Sequence, residues 1–277
     1  MIHRLFPDSG RASEISLEGL YLRLNLHHEA GEGEVLIYSN YIASIDGRIS
    51  RYNPTTDNYE VPNSLANERD WRLYQELAAQ SDVLVTSARY FRQLASGTAQ
   101  EMLPVGYKYQ DLLAWRMQQG LEKRPAVAIL SRTLDIPLDA IALLQKRQIY
   151  VFTSDAAPAD KRARLETHGV KVISAGETGV EGIRLREGLI DCGFRSVYMI
   201  AGPEVHGTLI AAGVLNRMFL TTRFMFLGNE HTHGLCEGGL SVPPEMDLQA
   251  LYRDEKGQQL FADYAVACTA GNRLEKS

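Results

Sequence analysis

The chain has 277 residues, 45% of them hydrophobic and 23% charged, with 34 acidic against 29 basic side chains and a formal net charge of −5. That is the composition of a water-soluble globular protein, and it excludes the basic field that attracts nucleic acid irrespective of sequence. No apolar run approaches the roughly 20 residues that cross a bilayer.

The N-terminus, "MIHRLFPDSGRASEIS", has no signal-peptide core. Cys192, Cys236 and Cys268 are widely spaced and odd in number, as suits reduced thiols in a cytoplasm. Residues 1–34 read as an extension, in which "LEGLYLRLNLH" permits a short strand or a short helix before the loop "HEAGEGE". From Val35 the pattern is regular. Apolar runs of strand length stand at 35–42, 82–86, 125–130, 149–153, 170–173, 196–201 and 215–221, rich in Val and Ile and bounded by turn residues. This is the pattern of strands buried on both faces.

Helical stretches lie between them. "SLANERDWRLYQELAAQ" (64–80) offers Ser64 as a cap and sets Leu65, Trp71, Leu73, Leu77 and Ala78 on one face. "PADKRARLETHG" (158–169) starts with Pro158 and stops at Gly169, and "GPEVHGTLIAAG" (202–213) runs from a glycine turn to a glycine stop. Within 87–124, "SGTAQEMLPVGYKY" has no period, whereas "QDLLAWRMQQGL" is helical; a loop of that length is often functional. Residues 248–267 read as two strands around "DEKGQ", an antiparallel hairpin closing one edge of the sheet. Alternating strand and helix define an α/β fold with a mainly parallel sheet flanked by helices. No repeat or low-complexity linker divides residues 35–277, which are expected to form one domain.

Parallel strands present ligands to the loops beyond their C-terminal ends, where helix N-termini offer N–H groups. Those junctions read "TSAR" (86–89), "SR" (131–132), "TSD" (153–155) and "GPEVHGT" (202–208). Hydroxyls and arginines recurring at such ends suit phosphates, and several phosphates suit a dinucleotide. Taken singly, Thr86, Ser87 and Thr153 read as helix caps, Arg89 and Arg132 as solvated side chains, and Gly202 as a strand end. The Rossmann fingerprint is missing, since Gly31-x-Gly33 precedes a strand. "HHE" (27–29) imitates the His-x-Glu of zinc deaminases, but no Pro-Cys-x-x-Cys follows. His231, His233 and Cys236 in "HTHGLC" fit no common zinc spacing, so a polar loop and no metal are expected.

One stretch poses the sharpest question. In "SNYIASIDGRIS" (39–50), Asn40, Ser44 and Asp46 run through a strand end, and Asp46-Gly47 is a short-turn signal. By residue pattern alone Asp46 is a hairpin residue. Together with "ILSRTLDIP" and "MIAGPEVHGTLIAAGVLNRMFLTTRFMFLG", however, the stretch resembles the reductase domain of riboflavin biosynthesis, in order over residues 35–230. In that family the domain has a dihydrofolate reductase-like fold and is often the C-terminal half of a bifunctional deaminase–reductase.

The resemblance implies NADPH bound across the strand ends. Thr86, Ser87 and Arg89 would line the cofactor, and Ser131 and Arg132 would lie near the adenosine 2′-phosphate. Gly202, Pro203, Glu204 and Val205 would wrap the pyrophosphate. Asn40, Ser44 and Gly47 would face the substrate. Asp46 would be the catalytic or orienting carboxylate, its pKa raised by desolvation beside the nicotinamide. The implied reaction is hydride transfer that converts the ribosylamino group of a pyrimidine phosphate to ribitylamino. The resemblance also implies a cytoplasmic homodimer acting on a small molecule, with no nucleic-acid or membrane partner. Its interface is expected at the sheet edge or C-terminal hairpin, through the apolar run at 218–228. The segment "TSARYFRQLASGTAQEMLP" lacks the family's acidic-Pro substrate loop. Two alternatives therefore stay open: a nucleotide-binding regulatory protein without turnover, and a dihydrofolate reductase-type pterin reductase.

Overall fold

The computed structural model describes residues 1–7, 14–98, 104–106, 108–144, 147–228 and 230–267. The N-terminal segment supplies β1 (Ile2–Phe6), β2 (Glu14–Ile15) and two single-turn 3-10 helices, Leu22–Leu24 and Leu26–His28. β3 (Leu36–Ser44) is followed by the short strands β4 (Arg48–Asn53) and β5 (Asn58–Glu60). Then come α1 (Glu68–Ala79), β6 (Val83–Ser87), α2 (Ala88–Ala95), α3 (Gln110–Gln118), β7 (Ala126–Leu130) and α4 (Leu138–Ala142). The alternation continues with β8 (Ile149–Thr153), α5 (Ala159–Thr167), β9 (Lys171–Ser174), α6 (Gly182–Asp191), β10 (Ser196–Met199) and α7 (Pro203–Ala211). β11 (Arg217–Arg223), β12 (Thr232–Gly234), β13 (Met246–Asp254) and β14 (Gln259–Val266) follow. Each of the seven apolar runs read from the sequence is a strand.

Eleven strands form one sheet in the order β2-β1-β13-β14-β11-β3-β10-β6-β7-β8-β9. From β11 to β9 the neighbours are parallel, and from β11 to β2 they are antiparallel. The chain runs outward through β6, β7, β8 and β9, then returns to set β10 between β3 and β6 and β11 on the other side of β3. Side chains alternate between the two faces. Tyr38, Tyr198 and Phe219 pack with Leu73 and Leu77 of α1, while Ile37, Tyr41 and Ala43 pack with Leu185 of α6 and Leu209 of α7. Phe91 of α2, Ala140 of α4 and Leu165 of α5 cover Val127 and Val151 farther out. A separate three-stranded sheet has the order β12-β4-β5.

Three expectations are corrected. α1 is capped by Asn67, whose side chain accepts the N–H groups of Arg69 at 3.1 Å and Asp70 at 3.0 Å. Ser64 cannot serve, because a turn in which Leu65 N–H donates to Pro62 O first drives Leu65 into the apolar cluster with Ile42 and Leu227. The C-terminal hairpin exists but closes no edge: β1 pairs with β13 from Ile2↔Asp254 to Phe6↔Leu251. Of the apolar run at 218–228, the part up to Arg223 is likewise internal, flanked by β3 and β14, whereas Phe224 and Phe226 beyond it are exposed. Segment 87–124 holds α2 directly after β6, with α3 as expected, and its residues 99–103 and 107 lie outside the described residues.

Residues 1–34 are tied to the domain through α1. The buried Glu76 carboxylate accepts the N–H groups of Gly19 at 2.6 Å and Tyr21 at 3.0 Å, and Arg72 Nε at 3.0 Å. One turn on, Gln80 accepts Leu26 N–H and donates to Tyr21 O, both at 2.9 Å. Removing a buried carboxylate that satisfies three donors leaves them all unpaired. Glu76→Ala is therefore expected to destabilise the protein by about 2–4 kcal/mol. Urea denaturation measures the change, and amide exchange at Gly19 and Tyr21 should rise in the variant.

Candidate active site

The C-terminal ends of β11, β3, β10, β6, β7, β8 and β9 share one edge of the sheet. β3 is the hinge of that edge, and its last residue, Ser44, lies in register with Arg223 of β11. Gly47 N–H donates to Ser44 O at 2.9 Å, closing a four-residue turn with Gly47 at φ +74°, a region that favours glycine. The turn is real, but it makes no two-residue β3–β4 hairpin: β4 pairs with β5 and β12 in the small sheet.

Asp46 holds this turn to the loop after β11. Its Oδ1 accepts the Ser44 hydroxyl at 2.5 Å and Leu227 N–H at 3.1 Å, and its Oδ2 accepts Gly228 N–H at 2.9 Å. Ile45 N–H adds a bond to Met225 O at 2.9 Å. The Ser44 hydroxyl holds the Asp46 carboxyl below the ordinary range, and the N–H groups of Leu227 and Gly228 add to this against the opposing cost of desolvation. The direction is opposite to that expected of a carboxylate in an apolar pocket, because hydrogen bonds to the charged form outweigh burial. Leu227 and Gly228 escaped the sequence reading, since nothing local links them to residue 46. Asn40 lies on the α1 face of β3, and its Nδ2 is buried without a hydrogen-bond partner among the described residues.

The junctions on the other side of β3 differ in how far their polar groups are committed. Ser87 is the N-cap residue of α2, yet its side chain makes no capping bond. Thr86 is buried beside it, and Arg89 is exposed in the first turn. Ser131 is spent locally, its hydroxyl accepting Leu134 N–H at 3.0 Å, as a capping residue would. Arg132 is exposed next to it. Among the described residues neither Arg89 nor Arg132 forms an ion pair or hydrogen bond. Thr153, at the end of β8, buries its hydroxyl without a hydrogen-bond partner among the described residues. Strand spacing puts Ser44 and Ser131 roughly 14 Å apart along this edge, with β10 and β6 between them.

Gly202 is the exposed N-cap residue of α7 and has no atom within 4 Å of where a Cβ would stand. Pro203 has no N–H to offer, so the unsatisfied donors of the first turn come from Glu204 and Val205. The Glu204 side chain is exposed and negative, so only its main chain suits an anion. One turn further, His206 is buried: Nδ1 donates to Leu235 O at 2.8 Å, which leaves Nε2 to accept the Ser39 hydroxyl at 3.3 Å. Burial lowers its pKa, consistent with a neutral ring. A Cβ on Gly207 would stand 2.6 Å from Glu237 O, so the "HG" of the motif makes room for the segment after β12. "HTHGLC" is thus partly β12, with His233 Nδ1 3.1 Å from Glu237 Oε1. No cluster of three metal-ligating side chains occurs among the described residues. A cleft of about 460 Å³ lies at the opposite edge, lined by Arg116, Arg124 and Arg147, and shares none of these residues.

The eleven-stranded, mostly parallel sheet with helices on both faces is a dihydrofolate reductase-like fold, and hydroxyls, arginines and a helix N-terminus line its carboxyl edge. The chain belongs to the RibD C-terminal domain family, which matches residues 35–260, and is an oxidoreductase. It is 22% identical over 226 residues to the 2,5-diamino-6-ribosylamino-4(3H)-pyrimidinone 5′-phosphate reductase of Aquifex aeolicus, covering 80% of this chain and 92% of that one. Its fold matches a pyrimidine reductase-like protein from Corynebacterium diphtheriae with TM-score 0.69 and 18% identity, covering 91% of this chain and 99% of that one. The riboflavin biosynthesis reductase of Saccharomyces cerevisiae matches with TM-score 0.57 and 14% identity, covering 90% and 99%.

The depressed Asp46 pKa sets a pH signature. Stability from a carboxylate favoured in its charged form is present above its unfolded pKa and is lost as pH falls through the lower folded value. Asp46→Asn should lower Tm at neutral pH, since its amide NH₂ then faces a main-chain N–H. The gap from wild type should stay constant on mild acidification and close only below the ordinary aspartate value of 3.8. Calorimetry of both proteins across that range checks it.

Proposed function

We propose that the chain is an NADPH-dependent reductase of riboflavin biosynthesis, converting the ribosylamino group of a pyrimidine phosphate to ribitylamino. The observation that carries this reading is the set of uncommitted anion-binding groups at successive strand ends, in a chain of this family. The residues fit a dinucleotide phosphate. Arg89 and Arg132 are exposed and unpaired among the described residues, the Ser87 side chain leaves the helix cap, and Thr153 buries an unsatisfied hydroxyl. When bound, NADPH supplies the hydride.

The chain's residues bind and orient. Arg132 recognises the 2′-phosphate, with Ser131 fixing the turn that presents it. Arg89, Thr86 and Ser87 hold the neighbouring part of the cofactor. Gly202 lets the pyrophosphate approach the N–H groups of Glu204 and Val205, and Pro203 stiffens that turn. On the substrate side Asn40 donates from β3. Asp46 is a positioning residue, since both its oxygens are engaged in joining Ser44–Gly47 to Leu227–Gly228.

No helix among the described residues is long and apolar enough to cross a membrane, in keeping with a cytoplasmic enzyme. Ile45, Phe224 and Phe226 are 52%, 42% and 74% exposed beside this edge, and the Ile45–Met225 bond draws their segments together. They form the apolar patch through which two copies would pair, and light scattering at micromolar concentration should give the dimer mass. A regulatory protein without turnover is the second reading, favoured by the departure of 87–106 from the family's substrate loop.

The decisive measurement is nucleotide binding together with substrate-dependent NADPH oxidation over pyrimidines and pterins. NADPH should bind at least about tenfold more tightly than NADH, and Arg132→Ala should erase most of that preference with Tm unchanged. Equal affinities for the two nucleotides would remove the 2′-phosphate assignment. Binding without oxidation of NADPH by any of the panel would favour the regulatory reading.

A further inference from the structure

The cleft at the amino-terminal edge of the sheet is a second concavity, remote from the carboxyl ends. It opens where β6, β7 and β8 begin, with Asp82, Ala126 and Gln148 at those starts. One side comes from α3 and the segment after it, through Arg116 and residues 122–124; the other comes from Cys192, Gly193 and Phe194 after α6. Its volume of about 460 Å³ falls within the range of small-molecule sites.

The lining is cationic in a chain whose net charge is −5. Arg116, Lys123, Arg124 and Arg147 stand against the two carboxylates of Asp82 and Glu122. Asp82 is already committed, its Oδ2 accepting the N–H groups of Arg195 at 2.8 Å and Ser196 at 3.0 Å. Arg116 is fully buried and donates to Ala79 O at 2.8 Å, Ser81 O at 2.7 Å and Glu122 O at 2.8 Å. Arg147 donates to Pro104 O at 2.8 Å. These carbonyls fix the two guanidiniums without neutralising them, and neither is in an ion pair among the described residues.

Burial pulls the Arg147 guanidinium down to about 10, and the charges of Arg124 and Arg116 add to the effect. Arg147 thus keeps its proton near pH 7 inside a field of its own sign. A cation at the end of α1 is favoured by the carbonyls there, which accounts for Arg116 as a strut. It does not account for Arg124, Arg147 and Lys123 converging on the same open space. Guanidinium forks and an ammonium around a cleft match the charge and geometry of a phosphate.

We propose that this cleft binds a small phosphorylated anion carrying two or more negative charges, held by Arg147, Arg124 and Lys123, while Arg116 braces the cleft against the end of α1. The site is separate from the carboxyl edge, and the proposal does not rest on the reductase reading.

The test uses the full chain with pyrophosphate and ribose 5-phosphate as separate probes, read by calorimetry and by the alkylation rate of Cys192. That thiol lines the cleft and is partly exposed, whereas Cys236 lies against Gly207 of α7 and serves as the internal control. At least one probe should slow Cys192 alkylation about fivefold or more and leave Cys236 unchanged; the tighter of the two tells an inorganic ligand from a sugar phosphate. Arg124→Gln should weaken the protecting probe about tenfold. Lys123 and Glu122 are exposed, so their variants should fold and decide the matter by themselves. Lys123→Glu should weaken binding several-fold and Glu122→Gln should tighten it, with NADPH affinity within about twofold in both. Arg132→Ala should leave the protection of Cys192 intact. No protection by either probe at about 10 mM overturns the proposal. So does protection matched by sodium chloride at equal ionic strength, protection unchanged in both Lys123→Glu and Glu122→Gln, or protection of Cys236 in place of Cys192.

Discussion

The parallel pairing of β3 with β10 on one side and β11 on the other is the constraint on which the rest of the structure depends. It joins residues near position 40 to residues near 198 and 220, and it aligns the carboxyl ends of all three strands. Asn216 secures the start of β3 by accepting Ile37 N–H at 2.8 Å, so the pairing is set from the end opposite the site. Parallel strands buried on both faces need helices above and below, which accounts for α1 on one side and α6 and α7 on the other. Every candidate site residue from Asn40 to Val205 reaches the edge through this pairing or through the ladder that continues it to β8.

The same pairing separates two carboxylates into two kinds of work. Asp46 stands just past the strand end, where the main chain of the β11 loop comes within reach, and it becomes a clamp. Asp70 stands over the sheet, where burial raises its pKa against the opposing Thr221 hydroxyl and Arg223 charge. Local hydrogen bonding pulls one pKa down and desolvation pushes the other up. Proximity to the strand ends alone does not distinguish them; the number of donors aimed at each does.

The nucleotide side has a division of its own. Ser131 spends its hydroxyl on Leu134 N–H and serves as scaffold, whereas Arg132, one residue on, is left for solvent or ligand. His206 lies inside the motif that names the α7 turn, but its ring faces inward to Ser39 and Leu235 and supports the helix from beneath. Pro203 contributes stiffness without a donor. A motif of consecutive residues is thus shared between contact and support, as the helical and strand periods dictate.

The strands, the alternation with helices and the strand-end polar groups were legible in the sequence, because a strand buried on both faces must be a short run of Val and Ile, and turn residues must follow. The Asp46-Gly47 turn was legible for the same reason. What it joins was not: Leu227 and Gly228 lie about 180 residues away, and the bonds that hold Asp46 exist only after β11 settles beside β3. The edge position of the C-terminal hairpin was misread because β1, an unremarkable pentapeptide alone, is fixed as a strand by pairing with β13. Asp70 left a faint trace, an acid on the stripe of Leu73 and Leu77, whose burial near Thr221 and Arg223 arises only once β11 is in place. Local periodicity determined the elements and which side of each is apolar. Which polar groups meet, and which stay unsatisfied, was decided by contacts across the sheet, since hydrogen-bond partners and desolvation are properties of the assembled structure.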